Sequence, residues 1–151
     1  MGEVDDFLAA VMPLQRQADL ALLNGDAGAR KMLWSHKDPV TVFGAAKTVS
    51  GWPEVESLFD WLASNFSNGA LYELDVTAAN VVGDLGYVLG AEHSRASIGG
   101  EAAAAIELRV TLIFRREGGE WMEVHRHADP ISGIRSTHEQ LGRFSKPEEQ
   151  R

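Results

Sequence analysis

Apolar residues recur at helical spacing through the first part of this chain and at strand spacing through the second. In residues 5–23, Phe7, Leu8, Val11, Leu14, Ala18 and Leu22 repeat with a period near 3.6, which predicts a helix. Pro13 lies inside it and predicts a kink or a division into two parts, because it removes an amide hydrogen. Asn24-Gly25-Asp26 ends the pattern. Gly25 suits a left-handed terminal position, and Asp26 is placed to N-cap a short second helix reaching about Met32. The stretch WSHKDPVTVFG, residues 34–44, predicts two short strands around a turn at Lys37-Asp38-Pro39. AAKTVSG reads as a loop, with Ser50 as the cap of a helix over 52–66. Its apolar stripe is Val55, Leu58, Phe59, Leu62 and Phe66, and Pro53 sits in the first turn, where its missing N–H costs nothing.

The period then changes. ALYELDVTAANVVG, LGYVLGAEHSRAS, AIELRVTLIFRRE and EWMEVHRHADP are four strand candidates, separated by GD, IGGEA and EGGE. Helices first and consecutive strands afterwards predict an α+β fold: one curved antiparallel sheet with its helices on one side. Residues 1–130 make one domain. Residues 131–151 form a polar tail, in which STHEQLGRF, residues 136–144, predicts one short helix.

Composition narrows the function classes. A chain of 151 residues that is 44% hydrophobic has material for one core. The net charge of −8 argues against nucleic-acid binding, which needs a basic face. The absence of cysteine excludes disulfides and thiolate sites. No apolar run approaches the roughly 18 residues of a membrane span, and MGEVDDFLAA lacks the basic start of a secretory signal. A cytoplasmic location is the expectation.

The order of these markers resembles the SnoaL-like branch of the NTF2-like superfamily. NGD closes the first helix, WSHKDPVTVFG stands as the first strand pair, SGWPEV opens the long helix, and GEWMEVHRHADP ends the strand series. The resemblance implies three N-terminal helices packed in a strongly curved mixed or antiparallel sheet, with a ligand pocket inside the resulting cone. It also implies dimers formed through the outer sheet face. Relatives include ketosteroid isomerases, polyketide cyclases, an epoxide hydrolase and kinase association domains, so fold alone does not settle function. Ketosteroid isomerase combines an aspartate base with an oxyanion hole of one tyrosine and one protonated aspartate. The matching positions here are Thr41, Ala18 and Val110, none of which can do that chemistry.

Side chains alternate between the two faces of a strand. The comparison with the family puts Met122, Val124, Arg126 and Ala128 of the last strand on the pocket side. Trp121, Glu123, His125, His127 and Asp129 then fall on the outer side, unless a bulge reverses the parity. Of the strand before it, Ile106, Leu108, Val110, Leu112 and Phe114 must be inside, being wholly apolar. Tyr87, Leu89, Ala91, His93 and Arg95 are the expected inner set of the strand before that, with Gly86 and Gly90 allowing the bend. Trp34, Phe43, Phe59, Tyr87, Leu89, Leu108, Val110, Val124 and Arg126 are thus the expected ligand-binding residues.

Three functional readings compete. In the first, a homodimer binds a small, mainly apolar organic molecule and acts by proton transfer of the isomerase or cyclase type. His93 or His36 is the acid–base group, and Arg126 orients an oxygen. Arg126 has a structural alternative, pairing with Glu92 or Asp129. In the second reading the chain is a non-catalytic dimeric association or ligand-carrier module. In the third, His125, His127 and Asp129 hold a metal, since histidines two apart on a strand have Cα atoms about 7 Å apart. The preferred reading of that cluster is structural, with no metal and no cofactor expected. Asp38, before a proline, is read as a turn-former rather than a general base.

Overall fold

The computed structural model describes residues 2–131, so the tail from 132 on, with the predicted helix at 136–144, lies outside the described residues. Helix α1 (Glu3–Leu23) runs through Pro13 as one element, and the expected division does not occur. Its buried stripe is Phe7, Val11, Gln15, Ala18, Asp19, Leu22 and Leu23. Gly25, at φ 89°, lets the chain reverse after α1. Helix α2 (Gly28–Leu33) follows, and Asp26 Oδ1 accepts a 2.8 Å hydrogen bond from the amide of its first residue, Gly28.

Strands β1 (Thr41–Phe43) and β2 (Thr48–Ser50) pair antiparallel. The second occupies the stretch expected to be loop, because Thr48 and Val49 find partners in Phe43 and Val42. Trp34, expected to open a strand, makes only an isolated bridge to Glu123. Helix α3 (Trp52–Asn65) is capped by Asp38 rather than Ser50: Asp38 Oδ1 accepts from the Trp52 amide at 3.2 Å. Asp38 therefore works as a turn and cap residue.

The four long strands are β3 (Phe66–Val82), β4 (Leu85–Ile98), β5 (Ala104–Glu117) and β6 (Glu120–Pro130). The sheet order is β2-β1-β6-β5-β4-β3, antiparallel throughout except for the parallel β1–β6 pair. The three helices pack on its inner face, giving the expected α+β cone.

Two core clusters fill the interior. Phe7, with edge-on partners Phe114 and Trp121 at 5.6 and 4.9 Å, centres one. Trp34 and Phe59, 5.2 Å apart, centre the other.

Parity differs from expectation in two strands. In β4 the buried positions are Gly86, Val88, Glu92, Ala96 and Ser97, while Tyr87 points to the other face. The glycines mark the inner side because the Phe7 ring at Gly86 and the β3 backbone at Gly90 leave no room for a side chain. A Cβ on Gly86 would lie 2.7 Å from the Phe7 ring, and one on Gly90 only 2.1 Å from the Asp75 carbonyl oxygen. In β6 a bulge falls at Val124, since Ile113 pairs with His125 while Phe114 pairs with Glu123. Beyond the bulge Arg126 and Ala128 are buried as expected; before it Glu123 turns inward as well.

Candidate functional site

The inner faces of the helices and the sheet enclose a cavity of about 330 Å³. Its apolar wall includes Leu22 and Leu23 of α1, Leu58 and Leu62 of α3, and Ile106 and Leu108 of β5. The exposed part of the wall is the turn between β1 and β2, residues 44–47, facing Trp61. Lys47 reaches across with Nζ 4.1 Å from the Trp61 ring centroid. The buried part carries Asp19, Arg30, Tyr72, Glu92 and Arg126.

Two hydrogen-bonded groups organise these five side chains. Tyr72 on β3 donates its hydroxyl to Glu92 Oε2 at 2.6 Å. Arg126 on β6 donates Nη1 to the same oxygen at 2.9 Å and Nη2 to Oε1 at 2.6 Å. In the second group, Asp19 Oδ1 accepts from Arg30 Nη2 of α2, and Oδ2 accepts from Gln15 Nε2 one helical turn earlier. The Arg30 guanidinium also lies over the Phe59 ring, 5.3 Å from its centroid.

Burial and charge set the protonation states. Burial opposes ionisation of Glu92, but the charge and hydrogen bonds of Arg126, then the Tyr72 hydroxyl, carry it below the usual carboxylate range. Burial and the neighbouring Glu92 charge hold the Tyr72 hydroxyl well above its ordinary value, so it stays a donor. Burial lowers Arg30 to about 10, which leaves it protonated at neutral pH. Glu123 is different. It is buried away from the cavity lining, its Oε2 has no hydrogen-bond partner among the described residues, and burial pushes it up to about 8 against the pull of Arg126 and Arg30.

Residues 13–131 match the family model of the SnoaL-like domain. This chain belongs to the SnoaL-like family. Solved structures agree on the fold. A candidate dehydratase of the NTF2-like family from Streptomyces avermitilis is similar with TM-score 0.70 and 22% identity, over 84% of this chain and 97% of that one. A ketosteroid isomerase-like protein from Erwinia carotovora atroseptica gives TM-score 0.66 and 15% identity, over 82% and 95%. The CamKII hub homology domain of Chlamydomonas reinhardtii gives 0.63 and 16%, over 82% and 97%. Among curated protein sequences, none matches the chain significantly.

Of the residues expected in the pocket of this SnoaL-like protein, Leu108 and Arg126 line the cavity. Arg126 is paired with Glu92, the carboxylate named as its structural alternative. The others lie elsewhere. Trp34, Phe59, Val110 and Val124 are buried in the two core clusters, where they support the wall without reaching it. Phe43, Tyr87 and Leu89 are displaced by strand parity onto the outer sheet face, in register with His127, Ile113 and Thr111 respectively. His93 is outside too, with Nε2 3.1 Å from Asp75 and Nδ1 3.9 Å from Glu107. His36 stacks on Trp52 at 3.8 Å and donates Nε2–H to the Lys31 carbonyl at 2.8 Å. Neither histidine reaches the cavity, so neither is placed for the acid–base role.

The HxHxD candidates are brought together only in part. His125 shares a 2.7 Å hydrogen bond between Nδ1 and Thr41 Oγ1, while His127 Nε2 lies 3.3 Å from Asp129 Oδ2. Among the described residues, no group of three or more metal-ligating side chains is arranged to hold an ion. At the positions that match the isomerase machinery, Thr41 is engaged with His125, and Ala18 and Val110 are core.

The sequence reading missed Asp19, Arg30 and Tyr72 as site residues, and Glu92 except as a partner. One signal was present. Gln15 and Asp19 fall on the same helical stripe as Phe7, Val11, Ala18 and Leu22, and polar side chains in an apolar stripe must find partners inside.

Proposed function

We propose that this SnoaL-like protein binds a small, mainly apolar organic molecule in its cone cavity and promotes a proton transfer on it. The observation carrying this reading is a cavity of about 330 Å³ with largely leucine and isoleucine walls and five buried polar side chains on one part. That combination is the usual make-up of a small-molecule site. With the histidines outside, Asp19 takes the role of proton acceptor. The names of two structurally similar proteins, a candidate dehydratase and a ketosteroid isomerase-like protein, support proton-transfer chemistry.

The test uses 2-tetralone, an apolar ketone with exchangeable α-protons, in deuterium oxide. Exchange is expected to accelerate with the protein and to return to the buffer rate with Asp19→Asn, while the ketone still perturbs the cavity-wall methyl resonances. An unaccelerated rate despite those perturbations would remove the proton-transfer reading and leave binding intact.

A second reading concerns assembly. The outer sheet face carries Phe43 and Tyr87, 43% and 36% exposed, beside Ile113, His125 and His127. Such a patch suits a homodimer interface, and similarity to a hub domain supports it. Sedimentation equilibrium is expected to give a dimer that Phe43→Asp dissociates. A native monomer would sink the assembly reading.

A further inference from the structure

The cavity wall carries one more positive charge than negative. Its ionised residues are Asp19 and Glu92 against Arg30, Lys47 and Arg126, in a chain whose net charge is −8. Four of the five pair off, and the two pairs are not equally closed. Arg126 sets two N–H groups against both oxygens of Glu92, and Tyr72 completes that carboxylate. Arg30 reaches Asp19 through Nη2 alone, and no other hydrogen-bond partner of its side chain occurs among the described residues. A guanidinium carries five N–H donors. By that count four N–H groups on Arg30 and three on Arg126 meet no acceptor among the described residues, and the Arg30 side chain is only 5% exposed and lines the cavity. Unmatched donors on a guanidinium that lines a cavity favour an oxygen that enters it.

We propose that the cavity selects an amphipathic monoanion whose delocalised oxyanion, a carboxylate or an enolate, lies against the free edge of Arg30. Its apolar body runs along Leu22, Leu58 and Leu62. Lys47 at the exposed rim makes the cavity as a whole net positive, which favours entry of an anion, and the closed Glu92–Arg126 pair contributes shape without net charge. This assignment rests on the small-molecule reading of the cavity but not on proton transfer. It gives the ligand a polarity and an orientation: the charged end points toward α1 and α2, and the apolar end toward α3.

The test compares 4-phenylbutyrate with 4-phenylbutyramide, which share an apolar body and differ in charge, by calorimetric and NMR titration at pH 7. The anion is expected to bind about tenfold tighter or better, the amount that a hydrogen bond to a charged group provides. Arg30→Met is expected to reduce that preference to about twofold or less while the amide still binds measurably, which also reports an intact cavity. If Arg30→Met loses the amide as well, Arg30→Lys carries the test, because it keeps the charge and gives up the fork. It is then expected to keep amide affinity and lose about threefold of the preference. Equal affinities of the native protein for the two probes would overturn the anion assignment and leave the cavity reading standing. A preference unchanged in whichever Arg30 variant still binds the amide would overturn the role of Arg30. Absence of binding by both probes would overturn the small-molecule reading itself.

Discussion

Arg126 and Arg30 line the same cavity, are both buried, and each faces one carboxylate, yet their surroundings differ. Arg126 meets Glu92 with two parallel hydrogen bonds and shares it with a tyrosine hydroxyl, so both oxygens of that carboxylate are taken up. Arg30 meets Asp19 through a single nitrogen, with Gln15 taking the other oxygen. A buried ion pair is maintained only where geometry and added hydrogen bonds offset desolvation. Arg126 satisfies that condition within the protein. Arg30 leaves part of it to be satisfied by something else, which separates a structural arginine from a recognition arginine on one wall.

The largest test of that contrast is Arg126→Met. It strands Glu92 without its cation, and urea unfolding at pH 7 is expected to show a loss of about 3–5 kcal/mol. Replacing both partners, Arg126→Met with Glu92→Met, is expected to lose less than the single change, because no buried charge remains unpaired. A double variant as unstable as the single one would mean that the pair does more than close itself.

Glu123 gives an effect of intermediate size, with a definite sign. Its folded value of about 8 lies above the ordinary 4.5, so the folded protein retains a proton that the unfolded chain has released between those values. Its contribution to stability therefore falls as pH rises from about 4.5 to about 8 and is constant above that. Each pKa unit corresponds to about 1.4 kcal/mol. Glu123→Gln does not ionise, and its stability relative to the native chain is expected to improve by about 3–4 kcal/mol between pH 5 and pH 8. Parallel pH profiles for the two proteins would show that the carboxyl finds a partner or water in solution.

The smallest effect belongs to Tyr72→Phe. It removes one hydrogen bond to an ionised carboxylate while Arg126 stays in place, and the expected loss is about 1.5 kcal/mol. Thermal melts resolve a change of that size. A loss as large as that of Arg126→Met would show that the tyrosine, not the arginine, holds Glu92.

The sequence pattern was sufficient for the element order. The long strands and α3 lie where alternation, glycine punctuation and the apolar stripe predict them, and the four glycine-bounded runs became β3 to β6. The site was legible only in fragments. Leu108 belongs to a strand whose inner set is wholly apolar, so only one facing was possible. Arg126 lies past the bulge, where the original parity is restored. In β4 the two faces have similar polarity, and the glycines on the inner side look like the weaker set until Phe7 is seen against Gly86. That misreading moved His93, Tyr87 and Leu89 into a cavity they do not touch.

From the sequence alone came what depends on neighbours along the chain: periodicity, turn residues, the excess of acidic charge and the absence of cysteine. Tertiary structure decided what depends on residues far apart meeting. Asp19, Arg30, Tyr72, Glu92 and Arg126 come from five elements, and no local pattern records which carboxylate each guanidinium will find. Burial is what makes that choice consequential. In water these pairs would be worth little, whereas inside the cone an unmatched donor or acceptor is costly enough to fix both the fold and the chemistry of what may enter.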